Sequence, residues 1–179
     1  KFGFLVLLII LISCSPKTED AFIPTIEEME YQPPEKIVNI DLPQGEITAI
    51  PEKLTTEDNV KIAYSYNKVS DKVVILVHML NKNKESWNDF ASKLQQNGIS
   101  TIAIDLRGHG ESDGDLEDFS EQDFNNIFLD VKAAKKFLDS QDFQDVYLIG
   151  GSIGANIALR YAASDSSIKK LVLLSPSEN

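Results

Sequence analysis

The chain has 179 residues, of which 42% are hydrophobic and 25% are charged, and this composition is typical of a single globular domain. Its formal net charge of -11 argues against a nucleic-acid partner, because affinity for phosphate groups comes from clustered Lys and Arg side chains. A single cysteine excludes an internal disulfide framework.

An apolar run from Phe2 to Ile12 is the first predicted element. It is shorter than the roughly 20 residues that a transmembrane helix needs, and it has the length of a signal-peptide core. The run ends in Leu11-Ile12-Ser13-Cys14, which resembles the bacterial lipobox, and this resemblance implies cleavage before Cys14 and a diacylglycerol group on its thiol. The alternatives are an ordinary signal peptide and a buried free cysteine. The lipobox predicts a signal peptide at residues 1–13 and a mature protein of the bacterial cell envelope, anchored to a membrane surface through Cys14.

Between residues 14 and 45 the sequence is rich in proline and acidic residues and has no sustained periodicity. This composition predicts a disordered tether. The folded domain is predicted to span residues 46–179, and it begins with two β-like segments, Ile47–Thr55 and Val60–Tyr66. The polar turn between the two segments predicts an antiparallel hairpin.

Four apolar runs of a length suited to buried strands follow the hairpin. They are Val73–Val77, Ile99–Ile104, Val146–Ile149 and Leu171–Leu174. Helical patterns separate them, with Trp87, Phe90, Ala91 and Leu94 in the first, Phe124, Ile127, Phe128, Val131 and Leu138 in the second, and Ile153–Ala163 as the third. Strands that alternate with helices predict right-handed crossovers, so we expect an α/β fold with a doubly wound, mostly parallel sheet.

Unusual residues follow three of the predicted strands. His78-Met79-Leu80 follows the first strand, Asp105–Ser112 the second, and Gly150-Gly151-Ser152-Ile153-Gly154 the third. The carboxyl ends of parallel strands lie at one edge of a sheet, and such sheets bind ligands there. The glycines around Ser152 predict a sharp strand-to-helix turn with the serine at its apex.

This turn has two other interpretations. The Ser152 hydroxyl could cap the helix at a tight crossing, or the turn could bind a dinucleotide. The dinucleotide interpretation is disfavoured because Ser152 occupies the middle glycine of G-x-G-x-x-G, and because such a turn normally follows the first strand of its sheet.

The D-x-R-G-H-G-x-S loop that begins at Asp105 and the G-x-S-x-G turn resemble motifs of the α/β-hydrolase superfamily. Within it, they resemble both serine aminopeptidase-like and acylglycerol lipase-like members, and the turn alone does not choose between the two. The resemblance implies that Ser152 attacks the carbonyl of a small-molecule ester, thioester or small amide and forms an acyl-enzyme, without a cofactor or a metal ion. It also implies an oxyanion hole formed by the backbone N–H groups of Ile153 and Leu80. Met79 stands where the family usually has glycine, and a positive φ costs Met more than Gly.

A serine hydroxyl is a poor nucleophile until a histidine accepts its proton, and in this fold an acid and then the histidine follow the serine along the chain. The two histidines, His78 and His109, both precede Ser152, and the resemblance implies structural roles for them. Asp105 and Arg107 are likewise expected to fix their loop by hydrogen bonds. Glu178 is a further candidate for the acid.

We therefore expect the sequence to be part of a longer reading frame, inactive by itself, because it lacks an initiating Met and the usual acid and catalytic histidine. Two functions remain open at this point. One is a lipid-anchored serine hydrolase, and the other is a non-catalytic surface lipoprotein that uses the fold for binding.

Overall fold

Seven strands and four α-helices make up residues 52–176, the part of the chain that the structure, a computed structural model, describes. The strands are β1 (Leu54–Thr55), β2 (Lys61–Ile62), β3 (Tyr64–Asn67), β4 (Lys72–Val77), β5 (Ser100–Ile104), β6 (Asp145–Gly151) and β7 (Ile168–Leu174). The helices are α1 (Asn88–Gln96), α2 (Glu121–Asn126), α3 (Phe128–Ser140) and α4 (Ile153–Ser164), with short 3₁₀ turns at Lys84–Trp87 and Leu116–Asp118. The predicted signal peptide, Cys14, the tether, the start of the first hairpin segment and Glu178 lie outside the described residues.

The main sheet has five strands in the order β3-β5-β4-β6-β7. Strands β4, β5, β6 and β7 are parallel to one another, and β3 is antiparallel to β5. Strands β1 and β2 form a separate antiparallel pair. The predicted α/β fold, with a mostly parallel sheet and an N-terminal antiparallel hairpin, is confirmed.

The second segment of the predicted hairpin is divided at Ala63, so that its end, β3, pairs with the main sheet instead of with β1. Ala63 is hydrogen bonded to the distant loop after β5. Its N–H donates to Ser112 Oγ at 2.8 Å, and its carbonyl accepts from the N–H of Asp105 at 2.9 Å. These bonds occupy the backbone groups that a continuous hairpin would have used.

The central strands are buried on both faces, as their continuous apolar runs predict. Val73, Ile75 and Val77 of β4 pack into a core cluster with α3 and α4. The alternate residues Val74 and Leu76 pack into a second cluster with Trp87 and α1. Helices therefore cover both faces of the sheet.

The predicted helix from Phe124 to Leu138 is divided into α2 and α3 at Ile127. Ile127 keeps helical dihedral angles, with φ of -58° and ψ of -24°. On either side of it, Asn126 donates a side-chain hydrogen bond to Asp58 at 3.1 Å and Asp130 accepts hydrogen bonds from Arg107. None of the helices within residues 52–176 is long and apolar enough to cross a lipid bilayer.

Candidate active site

Ser152 lies at the apex of the turn between β6 and α4, with φ of 50° and ψ of -120°. A residue other than glycine rarely adopts a positive φ, and holding it there costs about 1–3 kcal/mol. Three backbone hydrogen bonds fix this conformation. The Ser152 N–H donates to the carbonyl of Leu174 at 2.8 Å, and the Ser152 carbonyl accepts from the N–H groups of Ala155 at 2.8 Å and Asn156 at 3.3 Å.

Gly150 and Gly154 allow the backbone to pack tightly on both sides of the serine. A Cβ atom on Gly150 would overlap the carbonyl of Gly154, and would lie 2.7 Å from the N atom of Ala155. A Cβ atom on Gly154 would lie 2.6 Å from the carbonyl oxygen of Val77 and closer still to that of His78. Because these neighbours are backbone atoms, only glycine fits at either position.

The side chain of Ser152 is half-buried and makes no capping hydrogen bond to α4. The interpretation of this hydroxyl as a helix cap is therefore wrong. Within residues 52–176 no hydrogen bond involving the Ser152 hydroxyl is formed, so the group is available for chemistry at the N-terminus of α4, where the helix dipole favours negative charge.

The two predicted oxyanion donors lie on neighbouring segments. Val77 at the end of β4 is opposite Gly150 of β6, so the loop that carries Leu80 leaves the sheet beside the turn that carries Ile153. Among the described residues, none accepts a hydrogen bond from the N–H of Leu80 or of Ile153. Their assignment as an oxyanion hole stays a prediction.

The loop after β4 does not need a glycine at position 79. The positive φ of this loop lies at Asn81, with a value of 56°, and Met79 is not among the described residues with positive φ. Asparagine adopts this left-handed conformation at lower cost than most residues, because its short polar side chain can hydrogen bond locally. The side chain of Met79 instead packs over Gly151, the residue before the serine.

His78 is fully buried, and both of its ring nitrogens are hydrogen bonded to backbone. Its Nε2 accepts from the N–H of Leu106 at 3.0 Å, so Nδ1 carries the proton and donates to the carbonyl of Met79 at 2.8 Å. Burial lowers the pKa of His78 below its usual value and so favours this neutral form. These bonds give His78 a structural role and leave it no free nitrogen to act as a base.

His109 is also buried, and its ring lies 5.0 Å from that of His78. Its Nδ1 donates to the carbonyl of Arg107 at 3.0 Å, whereas Nε2 has no hydrogen-bond partner among the described residues. Neither histidine is hydrogen bonded to Ser152 in the part of the chain that the structure covers.

Arg107 fixes the loop after β5 through two carboxylates. Its guanidinium contacts Asp130 at 2.8 Å and Asp58 at 2.7 Å, and its backbone N–H also donates to Asp130 at 2.8 Å. Burial alone would lower the pKa of Arg107, but the hydrogen bonds to Asp58 and Asp130 raise it above its usual value. The hydrogen bond from Arg107 in turn holds the pKa of Asp58 far below its usual range.

Asp105 forms the second anchor of the same loop. It is fully buried and accepts hydrogen bonds from the backbone N–H of Lys84 at 2.6 Å, from Lys84 Nζ at 3.0 Å and from the N–H of Glu111 at 2.9 Å. Lys84 also contacts Glu111 at 2.6 Å. Asp105 and Arg107 therefore have the loop-fixing contacts that were expected of them.

Four partners in these networks were missed from the sequence, namely Asp58, Lys84, Glu111 and Asp130. One signal was available for Asp130, which is three residues after Ile127 and next to Val131 on the buried stripe of α3. A carboxylate on an apolar helix face must have a partner, because an unpaired buried charge is costly. Residues 52–176 include no group of three or more His, Cys, Asp or Glu side chains that could hold a metal ion.

Residues 68–178, more than half of the chain, match the family model described as "Serine aminopeptidase, S33". The chain belongs to this family of α/β-hydrolases.

Curated relatives of this serine aminopeptidase family member cover only part of it. The chain is 30% identical over 128 residues to the non-heme chloroperoxidase CPO-A1 of Kitasatospora aureofaciens, which is 68% of this chain and 42% of that protein. It is 32% identical over 104 residues to the AB hydrolase superfamily protein YisY of Bacillus subtilis, which is 57% of this chain and 37% of that protein. An uncharacterized Mycobacterium bovis protein is 31% identical over 59% of this chain and 29% of its own length. The chain spans less than half the length of these relatives.

Solved structures show the same fold. The esterase Pf2001 of Pyrococcus furiosus superposes with a TM-score of 0.63 and 30% identity, covering 69% of this chain and 49% of that chain. An esterase from Exiguobacterium antarcticum gives a TM-score of 0.60 at 24% identity, covering 71% and 46%, and this likeness shows the fold alone.

Proposed function

We propose that this serine aminopeptidase family member is a serine hydrolase that cleaves a small-molecule ester, thioester or small amide through an acyl-enzyme on Ser152. The observation that carries the proposal is the strained turn at Ser152, with its positive φ, its half-buried hydroxyl and its tightly packed glycines. This conformation costs energy that a purely structural crossing would not need. The 30% identity to the Pyrococcus furiosus esterase supports the choice of acyl substrates.

In the proposed reaction, Ser152 Oγ attacks the carbonyl carbon while its proton passes to a histidine other than His78 and His109. The carbonyl electron pair moves onto oxygen, and the N–H groups of Ile153 and Leu80 stabilise the resulting oxyanion. The intermediate collapses as the leaving alcohol, thiol or amine takes the proton. Water then hydrolyses the acyl-enzyme by the reverse sequence of proton transfers through the same histidine, which an acid orients.

The test is covalent labelling of the complete gene product with a fluorophosphonate probe. We expect labelling of the wild-type protein and loss of labelling in Ser152→Ala. Ser164→Ala is the matched control, because Ser164 lies at the other end of α4 and its hydroxyl donates to the carbonyl of Tyr161 at 2.7 Å. A folded wild-type protein without labelling would contradict the hydrolase and favour the non-catalytic binding lipoprotein, and label retained in Ser152→Ala would refute the assigned nucleophile.

We also propose that the mature protein is attached to a membrane of the bacterial cell envelope by lipid on Cys14. The support is the apolar run that ends in Leu11-Ile12-Ser13-Cys14, since this pattern resembles a lipobox. A hydrolase held at a membrane surface would meet substrates that partition into that surface.

A further inference from the structure

We propose that Met79 is a positioning residue for the oxyanion hole, because its side chain packs over Gly151 and so sets the position of the Leu80 N–H relative to Ser152. This inference rests on the proposed function. Met79 and Gly151 would form a size-complementary pair, in which the side chain at position 79 fills the space that glycine leaves at position 151.

The first step is the register of the sheet. Val77 is opposite Gly150 in the parallel pair β4–β6, so the segment from His78 to Leu80 and the segment from Gly151 to Ile153 leave adjacent strands at the same level. Gly154 then packs against the carbonyl groups at the end of β4. A shift of the backbone at the end of β4 would therefore also move the turn that carries Ser152.

The second step is the contact itself. A Cβ atom on Gly151 would lie 2.7 Å from Sδ and 3.0 Å from Cγ of Met79, and 3.8 Å from Cζ2 of Trp87. Met79 is half-buried and packs against the core cluster of Val74, Leu76, Trp87, Ala103 and Ile149. The side chain is thus held between this cluster on one side and the serine turn on the other.

The third step links the side chain of Met79 to the N–H of the next residue. The Met79 carbonyl accepts from His78 Nδ1 at 2.8 Å and from the N–H of Lys82 at 3.1 Å, so a tight turn follows Met79. Leu80 lies within this turn, and its side chain is 45% exposed. Because the exposed Leu80 side chain is not packed in the core, the position of its N–H follows from that of Met79.

The position of this N–H has a direct chemical consequence. An oxyanion donor acts at about 2.7–3.1 Å, and loss of one donor costs about 100–1000-fold in kcat. A displacement of about 1 Å can cost roughly 100-fold. A glycine at position 79 would remove the contact with Gly151 and add backbone freedom in the loop.

The experiment measures kcat and KM for an ester substrate, and the rate of fluorophosphonate labelling, on the complete gene product. We expect Met79→Gly to lower kcat by about 10- to 100-fold and to leave KM within about threefold, because the oxyanion exists only in the transition state. Met79→Leu, which conserves the volume of the side chain, should have a kcat within about threefold of the wild-type value. Leu94→Ala is the matched control, since Leu94 packs on the same cluster but contributes none of the three heavy atoms nearest a Cβ on Gly151, and it should lower stability but not kcat.

A double-mutant cycle tests the pairing of the two positions. Gly151→Ala should lower kcat in the wild-type protein, where the new methyl group meets Met79, and should have no further effect in Met79→Ala, where the space is free. A purely structural role for Met79 would lower the melting temperature and leave kcat of the folded enzyme unchanged.

The outcomes separate the two proposals. An active wild-type enzyme whose kcat is unchanged in Met79→Gly would overturn the positioning role and leave the hydrolase intact. A wild-type protein that neither labels nor hydrolyses esters would overturn the proposed function, and the positioning role would fall with it. Three results would together support the positioning role. They are a loss of kcat in Met79→Gly, a near wild-type kcat in Met79→Leu, and coupling between the Met79 and Gly151 substitutions.

Discussion

Ser152 has both a positive φ and a hydroxyl that is not hydrogen bonded to any described residue, and its neighbours account for both features. The hydrogen bond from its N–H to Leu174 ties the turn to β7, and the glycine contacts tie it to the end of β4. Close packing at Gly150 and Gly154 offsets the backbone strain at Ser152 and holds its hydroxyl in the partly exposed position. The exposure of the Ser152 hydroxyl therefore depends on two residues without side chains.

Gly154→Ala should disrupt this packing. The new methyl group would lie 2.6 Å from the carbonyl oxygen of Val77, and a backbone carbonyl at the end of a buried strand cannot move aside. We expect the free energy of unfolding to fall by about 3 kcal/mol, the upper end of the usual cost of overpacking. Urea denaturation of the variant and the wild-type protein measures this difference.

Gly98→Ala is the control for the general cost of replacing a glycine. Gly98 has a φ of +71°, but a Cβ atom there meets nothing within 4 Å. Only the left-handed backbone is penalised, so the loss should be about 1 kcal/mol. If Gly154→Ala cost no more than Gly98→Ala, the tight packing of Gly154 against the carbonyl groups of Val77 and His78 would not contribute to stability.

At the scale of elements, two buried ion pairs hold the loop between β5 and α2 in place. Asp105 joins the loop to Lys84 before α1, and Arg107 joins it to Asp130 of α3 and to Asp58 before β2. The loop therefore connects helices on both faces of the sheet. Its rigidity matters to the candidate site because the N–H of Leu106 orients His78, which in turn contacts Met79.

Asp130→Asn should be strongly destabilising. The change keeps the shape of the side chain but leaves the buried Arg107 with the more exposed Asp58 as its only carboxylate partner within residues 52–176. Removing one partner of a buried pair costs about 3–5 kcal/mol when the other charge is left unpaired. Because Arg107 keeps Asp58, we expect a smaller loss of about 2–3 kcal/mol, the cost of losing hydrogen bonds to a charged group. Thermal or urea unfolding measures the loss.

The matched control is Asp139→Asn, on the same helix. Asp139 pairs with Lys135 at 2.6 Å, but its side chain is 54% exposed, so the loss should be less than about 1 kcal/mol. Equal losses of stability in the two variants would show that burial does not set the contribution of the Arg107–Asp130 pair to the free energy of unfolding.

At the scale of the whole molecule, the parts that could be predicted from the sequence are those set by local pattern. The continuous apolar runs predicted β4, β5, β6 and β7. In β4 and β5 the run reflects burial on both faces, whereas β7 has only half-buried and exposed residues, so its expected burial was wrong. The glycines predicted the turn at Ser152, because the steric reason for them is local.

The parts that could not be predicted depend on partners far along the chain. The division of the hairpin at Ala63 follows from hydrogen bonds to Asp105 and Ser112, more than 40 residues away. The pairing of Arg107 with Asp58 spans 49 residues. No local pattern encodes such contacts, so the roles of these side chains became visible only in the folded chain.

The proposed membrane attachment also concerns the whole molecule, and Cys14, the only cysteine among residues 1–179, allows a direct test. We expect the complete protein, expressed in bacteria, to incorporate an alkyne-tagged fatty acid and to sediment with membranes, and Cys14→Ala to lose the tag. Ser15→Ala is the matched control and should retain it, because the thiol is unchanged. An untagged wild-type protein, or a tagged Cys14→Ala variant, would contradict the anchor.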